Sequence, residues 1–219
     1  MDIDDLLAEV SAGAIPQQQR DLQELTRAWV AERCAPEILE WPENLMGRVL
    51  GRIRKQIELV EEQTGDMDAK TNFKLIIVQT ELERFKFLVR SFLRARIKKI
   101  DAHPHHLLSL LPTNPRLLSP SEQQYLTAHQ SLLSAHYAAS FLSQFPAPLQ
   151  KLDDTTGGVS MIDRPDTQSA VFARALRDCE VWSEGGGEGA RVRMRRGDVW
   201  VVRWGGVRAA VERGDVELI

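Results

Sequence analysis

Apolar positions along this chain repeat at two periods, and the period changes once. Up to about residue 145 they recur every three or four residues, the spacing of helices. Beyond about residue 164 they recur more nearly every second residue, the spacing of strands. The longest uninterrupted helical stretch is Thr71–Asp101, which contains no proline or glycine and predicts a rod about 45 Å long. Winding it as a helix gives two apolar stripes. One holds Leu75, Val78, Leu82, Phe85, Val89, Leu93, Ile97 and Ile100. The other lies nearly opposite and holds Phe73, Ile76, Ile77, Thr80, Phe87, Leu88 and Ser91. A surface helix of a globular protein buries one face. A helix apolar on two faces needs cover on both, and the chain has few other long helices to supply it. Part of the second face is therefore expected to meet another subunit. Arg84 falls within that second stripe, where an unpaired charge is costly, so a carboxylate partner is expected for it.

Other elements follow from the same pattern. Residues 20–34 predict a first helix, with Leu22, Leu25, Trp29 and Val30 on one side. Residues 43–62 predict a second, lined by Met46, Val49, Leu50, Ile53, Ile57 and Val60, and Gly65, Asp66 and Asn72 mark the turn after it. After Asp101 a stretch rich in histidine and proline reads as a loop. Ser119, Pro120 and Glu122 then spell a capping box at the start of a further helix. That helix runs to about Phe141, and its expected buried side is Tyr125, Leu126, His129, Leu132, Leu133, His136, Tyr137 and Phe141.

Prolines, glycines and acidic residues between 146 and 164 read as a linker. The following residues predict strands at 171–173, 181–182, 191–195, 199–204 and 216–219. A short helix is predicted at 207–213 and a hairpin turn at Arg196-Gly197-Asp198. The fold class is thus α+β: an N-terminal α-helical bundle, a linker and a small C-terminal β-rich domain. The domain boundaries read as 1–19 for a tethered N-terminal peptide, 20–145 for the helical domain, 146–164 for the linker and 165–219 for the β-rich domain. A β-rich unit this small has a marginal core and is expected to dock on something else.

At the N-terminus, MDIDDLLAEV places Ile3, Leu6, Leu7 and Val10 on one face of a short acidic helix. It is followed by a small, polar, proline-broken tether. Two readings fit: a frayed chain end, or a peptide that folds into a partner's groove.

Composition narrows the chemistry. The 219 residues are 43% hydrophobic and 27% charged, with a net charge of −3, which argues against wholesale coating of nucleic acid. Cys34 and Cys179 lie far apart without a CxxC spacing, and no apolar run reaches membrane-spanning length. Neither does a secretory signal appear. An intracellular protein in a reducing compartment is expected. His103, His105 and His106 cluster beside Asp101, but no cysteine or HExxH helix accompanies them, so a solvated loop is favoured over a zinc site. No nucleophile motif or Walker lysine is present; the glycines of 184–189 read as a hairpin loop. The sequence therefore offers no catalytic residue, metal site or cofactor. The basic run Lys86, Arg90, Arg94, Arg96, Lys98 and Lys99 supports one rival reading, a nucleic-acid-binding helical module. A solvated, ion-paired helix face is favoured over it, because no aromatic is interleaved.

Several segments together carry a resemblance. Ala28–Glu40 (AWVAERCAPEILE) holds Trp29, Glu32, Ala35, Pro36 and Glu37. Glu81–Ile100 holds Glu83, Arg84, Leu93, Arg94, Arg96 and Lys99. Leu118–Glu122, Leu149–Asp153, Pro165–Leu176 and the terminal VELI follow in order. In these segments the chain resembles the GINS family, specifically its Sld-five type, over most of its length from about Leu25. The resemblance implies a non-catalytic subunit of a nuclear heterotetramer in eukaryotic, fungal-type chromosome replication. Its partners would be three sister GINS subunits, together with the MCM ring and a helicase co-factor that complete the replicative helicase. The N-terminal decapeptide is similar to the fungal peptide that binds a trimeric replisome hub, with Ile3, Leu6 and Leu7 as anchors. Subunit-interface candidates are Trp29, Phe73, Ile77, Arg84, Phe87, Leu88, Arg94 and Arg96 in the helices. In the β-rich unit they are Phe172, Trp204, Leu218 and Ile219.

Overall fold

A computed structural model describes residues 16–63, 69–151, 161–182 and 191–219. Among them are six helices and five strands. The helices are α1 (Gln17–Cys34), α2 (Glu43–Gln63), α3 (Ala69–Ala102), α4 (Pro104–Leu110), α5 (Pro120–Ser140) and α6 (Trp204–Glu212). The strands are β1 (Ala170–Ala175), β2 (Cys179–Trp182), β3 (Arg191–Met194), β4 (Val199–Arg203) and β5 (Val216–Leu218). Helices come first and the small sheet region last, so the expected α+β class holds. The predicted turn at Gly65-Asp66, much of the linker and the glycine-rich stretch lie outside the described residues, as do Ile3, Leu6 and Leu7.

The chain divides into two compact units, Met1–Ala28 with Asn44–Val89, and Trp29–Glu43 with Arg90–Ile219. In the first unit α2 buries Leu45, Met46 and Val49, and α3 buries Leu75 and Leu82. Asp21 of α1 is fully buried there, yet it is not orphaned. Arg48 Nε lies 3.1 Å from its Oδ1 and Arg52 Nη2 lies 2.9 Å from its Oδ2. Burial opposes ionisation of Asp21, but hydrogen bonds from Gln17, Arg48 and Arg52 outweigh it. Its pKa accordingly lies below the usual carboxylate value.

The second unit has two apolar centres. The first gathers Ile38, Ile100, Leu107, Leu117, Leu118 and Leu126 from α3, α4, α5 and the loops beside them. Here the structure corrects the expected histidine-proline loop. Pro104 opens a short helix, where a missing N–H costs nothing, and Leu107 pins it into the core. The capping box forms as predicted. Ser119 accepts from the Glu122 N–H, and Glu122 accepts from the Ser119 N–H at 2.8 Å.

The other centre is the β-rich core of Val171, Ala173, Ala175, Val181, Met194, Trp204, Val207, Ala210, Val216 and Leu218, closed by Ala35 from the segment after α1. The sheet order is β4-β1-β5, all antiparallel, and β2 pairs only with β3. Gly197 takes φ +92° in the turn after β3. That turn is nevertheless no hairpin. β3 pairs back to β2, and β4 crosses to β1, with Phe172 opposite Val201. Gly206 lets α6 pass over β2, because a Cβ there would sit 2.1 Å from the Trp182 carbonyl oxygen. The β-rich unit does dock on other residues of its compact unit. The Trp204 indole N–H donates to Glu37 Oε1 at 2.6 Å, and Arg208 Nε stands 3.1 Å from the same oxygen.

Candidate assembly surface

In α3 the face turned inward follows Leu75, Leu82, Val89 and Arg96 at intervals of seven, joined by Phe92 and Ile100. The expected stripe ran through Leu93 and Ile97 instead, and Ile97 is exposed. The discrepancy traces to Arg96. Its charge hides the fact that the inner line continues through it, so an apolar reading slips by one residue.

Arg96 is 0% exposed and spends its donors inside the chain. Nε donates to Glu122 Oε1 at 2.7 Å, and Nη1 to Glu32 Oε2 at 3.0 Å and the Leu39 carbonyl at 2.8 Å. Nη2 donates to the Leu117 carbonyl at 2.8 Å. Lys99 Nζ binds the other oxygen of Glu32 at 2.7 Å and the Glu37 carbonyl at 2.7 Å. Burial draws the Lys99 pKa below the usual lysine value, with Glu32 pulling it back. Two carboxylates from distant segments thus close on one guanidinium, a bidentate geometry suited to arginine. One of them, Glu122, also caps α5. The network ties α1, the 35–41 segment, α3 and α5 together at one point.

Other predicted interface residues divide into two groups. Phe73, Ile77 and Phe87 stand open on α3, Phe73 at 67% exposure, with Ile76 beside them; Leu88 is half-buried. Arg84 is exposed, and its carboxylate partner is Glu81, one turn earlier on the same helix, at 3.4 Å. Arg94 is exposed and Trp29 half-buried. In the β-rich unit Phe172 and Ile219 are exposed, joined on the sheet by Val199 and Val201. Trp204 and Leu218 are buried in the unit's own core, as Arg96 is in the helical core, so none of these three reaches the surface.

Two surfaces escaped the sequence reading. The last turns of α5 stand clear of the core, contrary to the buried side expected there. Leu126 is buried, but Leu132 is 69% exposed and Phe141 is also open. An aromatic ladder of Tyr137, Phe141 and Phe145, with centroids 5.7 and 6.3 Å apart, runs along that end. The missed signal is the alternation of the apolar residues there with small ones, Ser134, Ala135, Ala138 and Ala139, which cannot hold a core. A second is an apolar groove of about 360 Å³ within the first unit, walled by Leu22, Val49, Ile53, Val78, Leu82 and Phe85.

Among the described residues no group of three or more histidine, cysteine, aspartate or glutamate side chains could hold an ion. Cys34 and Cys179 are free thiols. No helix among the described residues is long and apolar enough to cross a membrane.

The chain is thus a helical domain followed by a small β-rich unit, with apolar faces left open on both. Two family descriptions match: "GINS complex protein helical bundle domain" over residues 52–141, and "DNA replication complex GINS protein SLD5 C-terminus" over residues 165–219. Similar proteins include the DNA replication complex GINS protein SLD5 of Chaetomium globosum, 54% identical over 222 residues, with 100% of both chains covered. The SLD5 protein of Yarrowia lipolytica is 38% identical over 224 residues, covering 100% of this chain and 85% of that one. The Schizosaccharomyces pombe protein is 37% identical over 221 residues, covering 100% and 99%. The chain belongs to the SLD5 family of GINS DNA replication proteins.

Proposed function

We propose that this chain works as a non-catalytic structural subunit of a heterotetrameric GINS complex in the nucleus. In this reading it joins three sister subunits, and the assembly completes the replicative helicase with the MCM ring and a helicase co-factor, for initiation and elongation of chromosome replication. The observation that carries it is the second stripe of α3. Phe73, Ile76, Ile77 and Phe87 remain exposed on a helix that buries Leu75, Leu82, Val89, Phe92 and Ile100. Contiguous apolar surface of that kind on a protein in water marks an interaction site. The open end of α5 and the Phe172–Val201 face of the sheet support the same reading. In the domain organisation that goes with it, helices 20–145 form the main contact, the linker 146–164 follows, and 165–219 is a second contact.

Burying one phenylalanine is worth about 1.5–3 kcal/mol. Phe73→Glu with Phe87→Glu is therefore expected to weaken assembly with co-expressed sister subunits by about a hundredfold or more. The far-ultraviolet circular dichroism of the chain should stay unchanged, since neither ring packs in its core. Wild-type assembly by this variant, read by size-exclusion chromatography with light scattering, would contradict the proposal.

Residues 1–19 complete the reading as a tethered peptide for a trimeric replisome hub. Leu6→Ala with Leu7→Ala is expected to abolish hub binding in a fluorescence-anisotropy titration while leaving the tetramer intact. Unchanged hub affinity would remove that part of the proposal without touching the rest.

A further inference from the structure

Beside the Arg96 network, but opening outward, the second unit has a cavity of about 690 Å³. Its walls include Trp29, Arg33, Arg94, Lys98 and His103, with Lys99 and Glu32 at the back. Three observations concern what it lacks. First, its charges do not balance. Glu32 is the carboxylate in the wall, and it is already shared between Arg96 and Lys99. No carboxylate of the described residues lies within ion-pair distance of Arg33, Arg94 or Lys98. Second, two hydrogen-bonding nitrogens in its wall are buried without partners: the Trp29 indole Nε1 and His103 Nδ1. An unmade buried hydrogen bond costs about 1–3 kcal/mol, so a partner that repacks this wall and brings an acceptor to the indole N–H would be favoured. Third, the Arg33 guanidinium lies 5.0 Å from the Trp29 ring centroid, which orders one cation at the mouth.

We infer that this cavity receives an acidic segment of another polypeptide, with side-chain carboxylates meeting Arg33, Arg94 and Lys98. The inference rests on the subunit reading above and names the chemistry of one of its contacts. Carboxylates fit the site better than a nucleic-acid strand. Sequence-independent strand binding uses a positively charged groove that tracks the backbone, and a cluster of about three cations in a chain of net charge −3 is a short track. Trp29 is also a poor stacking platform, being half-buried with Arg33 over its ring. A carboxylate pair on an extended or helical segment matches the cluster in both charge and size. Arg94 and Lys98, four apart on α3, face it from one helix.

The test uses the full chain co-expressed with its three sister subunits. Treatment with a water-soluble carbodiimide, which joins an amine only to a carboxylate in contact with it, is expected to link Lys98 to an aspartate or glutamate of another subunit, identified by mass spectrometry. Arg94→Glu with Lys98→Glu is expected to weaken assembly at least tenfold at low salt. The difference from wild type should shrink as salt is raised from about 50 to 300 mM, because paired charges are screened. Both side chains are exposed, so the variant should fold. Arg94→Ala with Lys98→Ala, expected to give a smaller loss of the same salt dependence, guards against a charge-specific folding defect. Wild-type assembly by both variants, with no link from Lys98, overturns the inference and leaves the subunit reading standing. Loss of oligo-dT binding with assembly unchanged overturns it in favour of a nucleic-acid site. Failure of the wild-type chain to assemble at all defeats the subunit reading itself.

Discussion

Arg96→Ala is expected to destabilise the protein by about 3–5 kcal/mol, the cost of leaving a buried charge without its partner. The substitution orphans more than one group. Glu122 stays nearly fully buried without a counter-charge, Glu32 keeps Lys99 but loses the arginine, and the Leu39 and Leu117 carbonyls lose a donor. Domains are commonly stable by about 5–15 kcal/mol, so the loss is about a fifth of the total or more. For a chain of this length it should lower the melting temperature by about 6–20 °C. Arg96→Lys keeps the charge but loses the fork, and should fall between wild type and alanine. Arg96→Met with Glu122→Gln should recover part of the loss, since Glu122 is the carboxylate left without a counter-charge and a glutamine there can still accept from the Ser119 N–H. Melting followed by circular dichroism, on the chain or on its complex, checks the series. An alanine variant within about 1 kcal/mol of wild type would show that water, not protein, satisfies these carboxylates.

The same cluster explains where sequence reasoning stopped. Local signals were legible because their causes are local. Ser119, Pro120 and Glu122 specify a helix start through three neighbouring positions, and Gly197 supplies a left-handed turn that a side chain would strain. The short strands and α6 were legible through the change of period. What was hidden depends on residues far apart. Asp21 and Glu32 lie on the buried side of α1 at positions a hydropathy pattern assigns to water; each is tolerable only because arginines from other helices meet it. The Arg196-Gly197-Asp198 turn has hairpin chemistry, yet partner choice belongs to β1 and β2, which outbid the adjacent strand. The outer end of α5 shows the opposite failure. Its aromatics look like a core stripe, and no element of the described chain covers them. For the candidate surface, the stripe of Phe73, Ile77 and Phe87 was readable from spacing on one helix. The cavity at Trp29 was not, since it joins the end of α1 to a face of α3 that a linear basic run conceals.

Trp204→Ala should have its effect in the β-rich unit rather than across the molecule. The indole is fully buried among Val171, Ala173, Met194, Val207 and Leu218, and truncating a tryptophan in such a core costs about 3–5 kcal/mol. The unit is small and has little stability to spare. The same change removes the indole N–H that holds Glu37, leaving Arg208 as the remaining contact to that carboxylate. Hydrogen exchange followed by mass spectrometry is expected to show protection lost across β1, β4 and β5, while α5 residues near Leu126 keep theirs. Trp204→Phe retains most of the apolar volume and should lose about 1–3 kcal/mol, leaving the sheet protected at neutral pH. Glu37→Gln separates the two roles: its amide oxygen still accepts from the indole, but Arg208 loses its charge partner, so a smaller loss than Trp204→Ala is expected. Equal loss of protection in α5 and in the sheet would show that the β-rich unit and the helices beside it unfold as one body. The Glu37–Trp204 contact would then be a seam inside a single core, not the hinge point of a separately stable part.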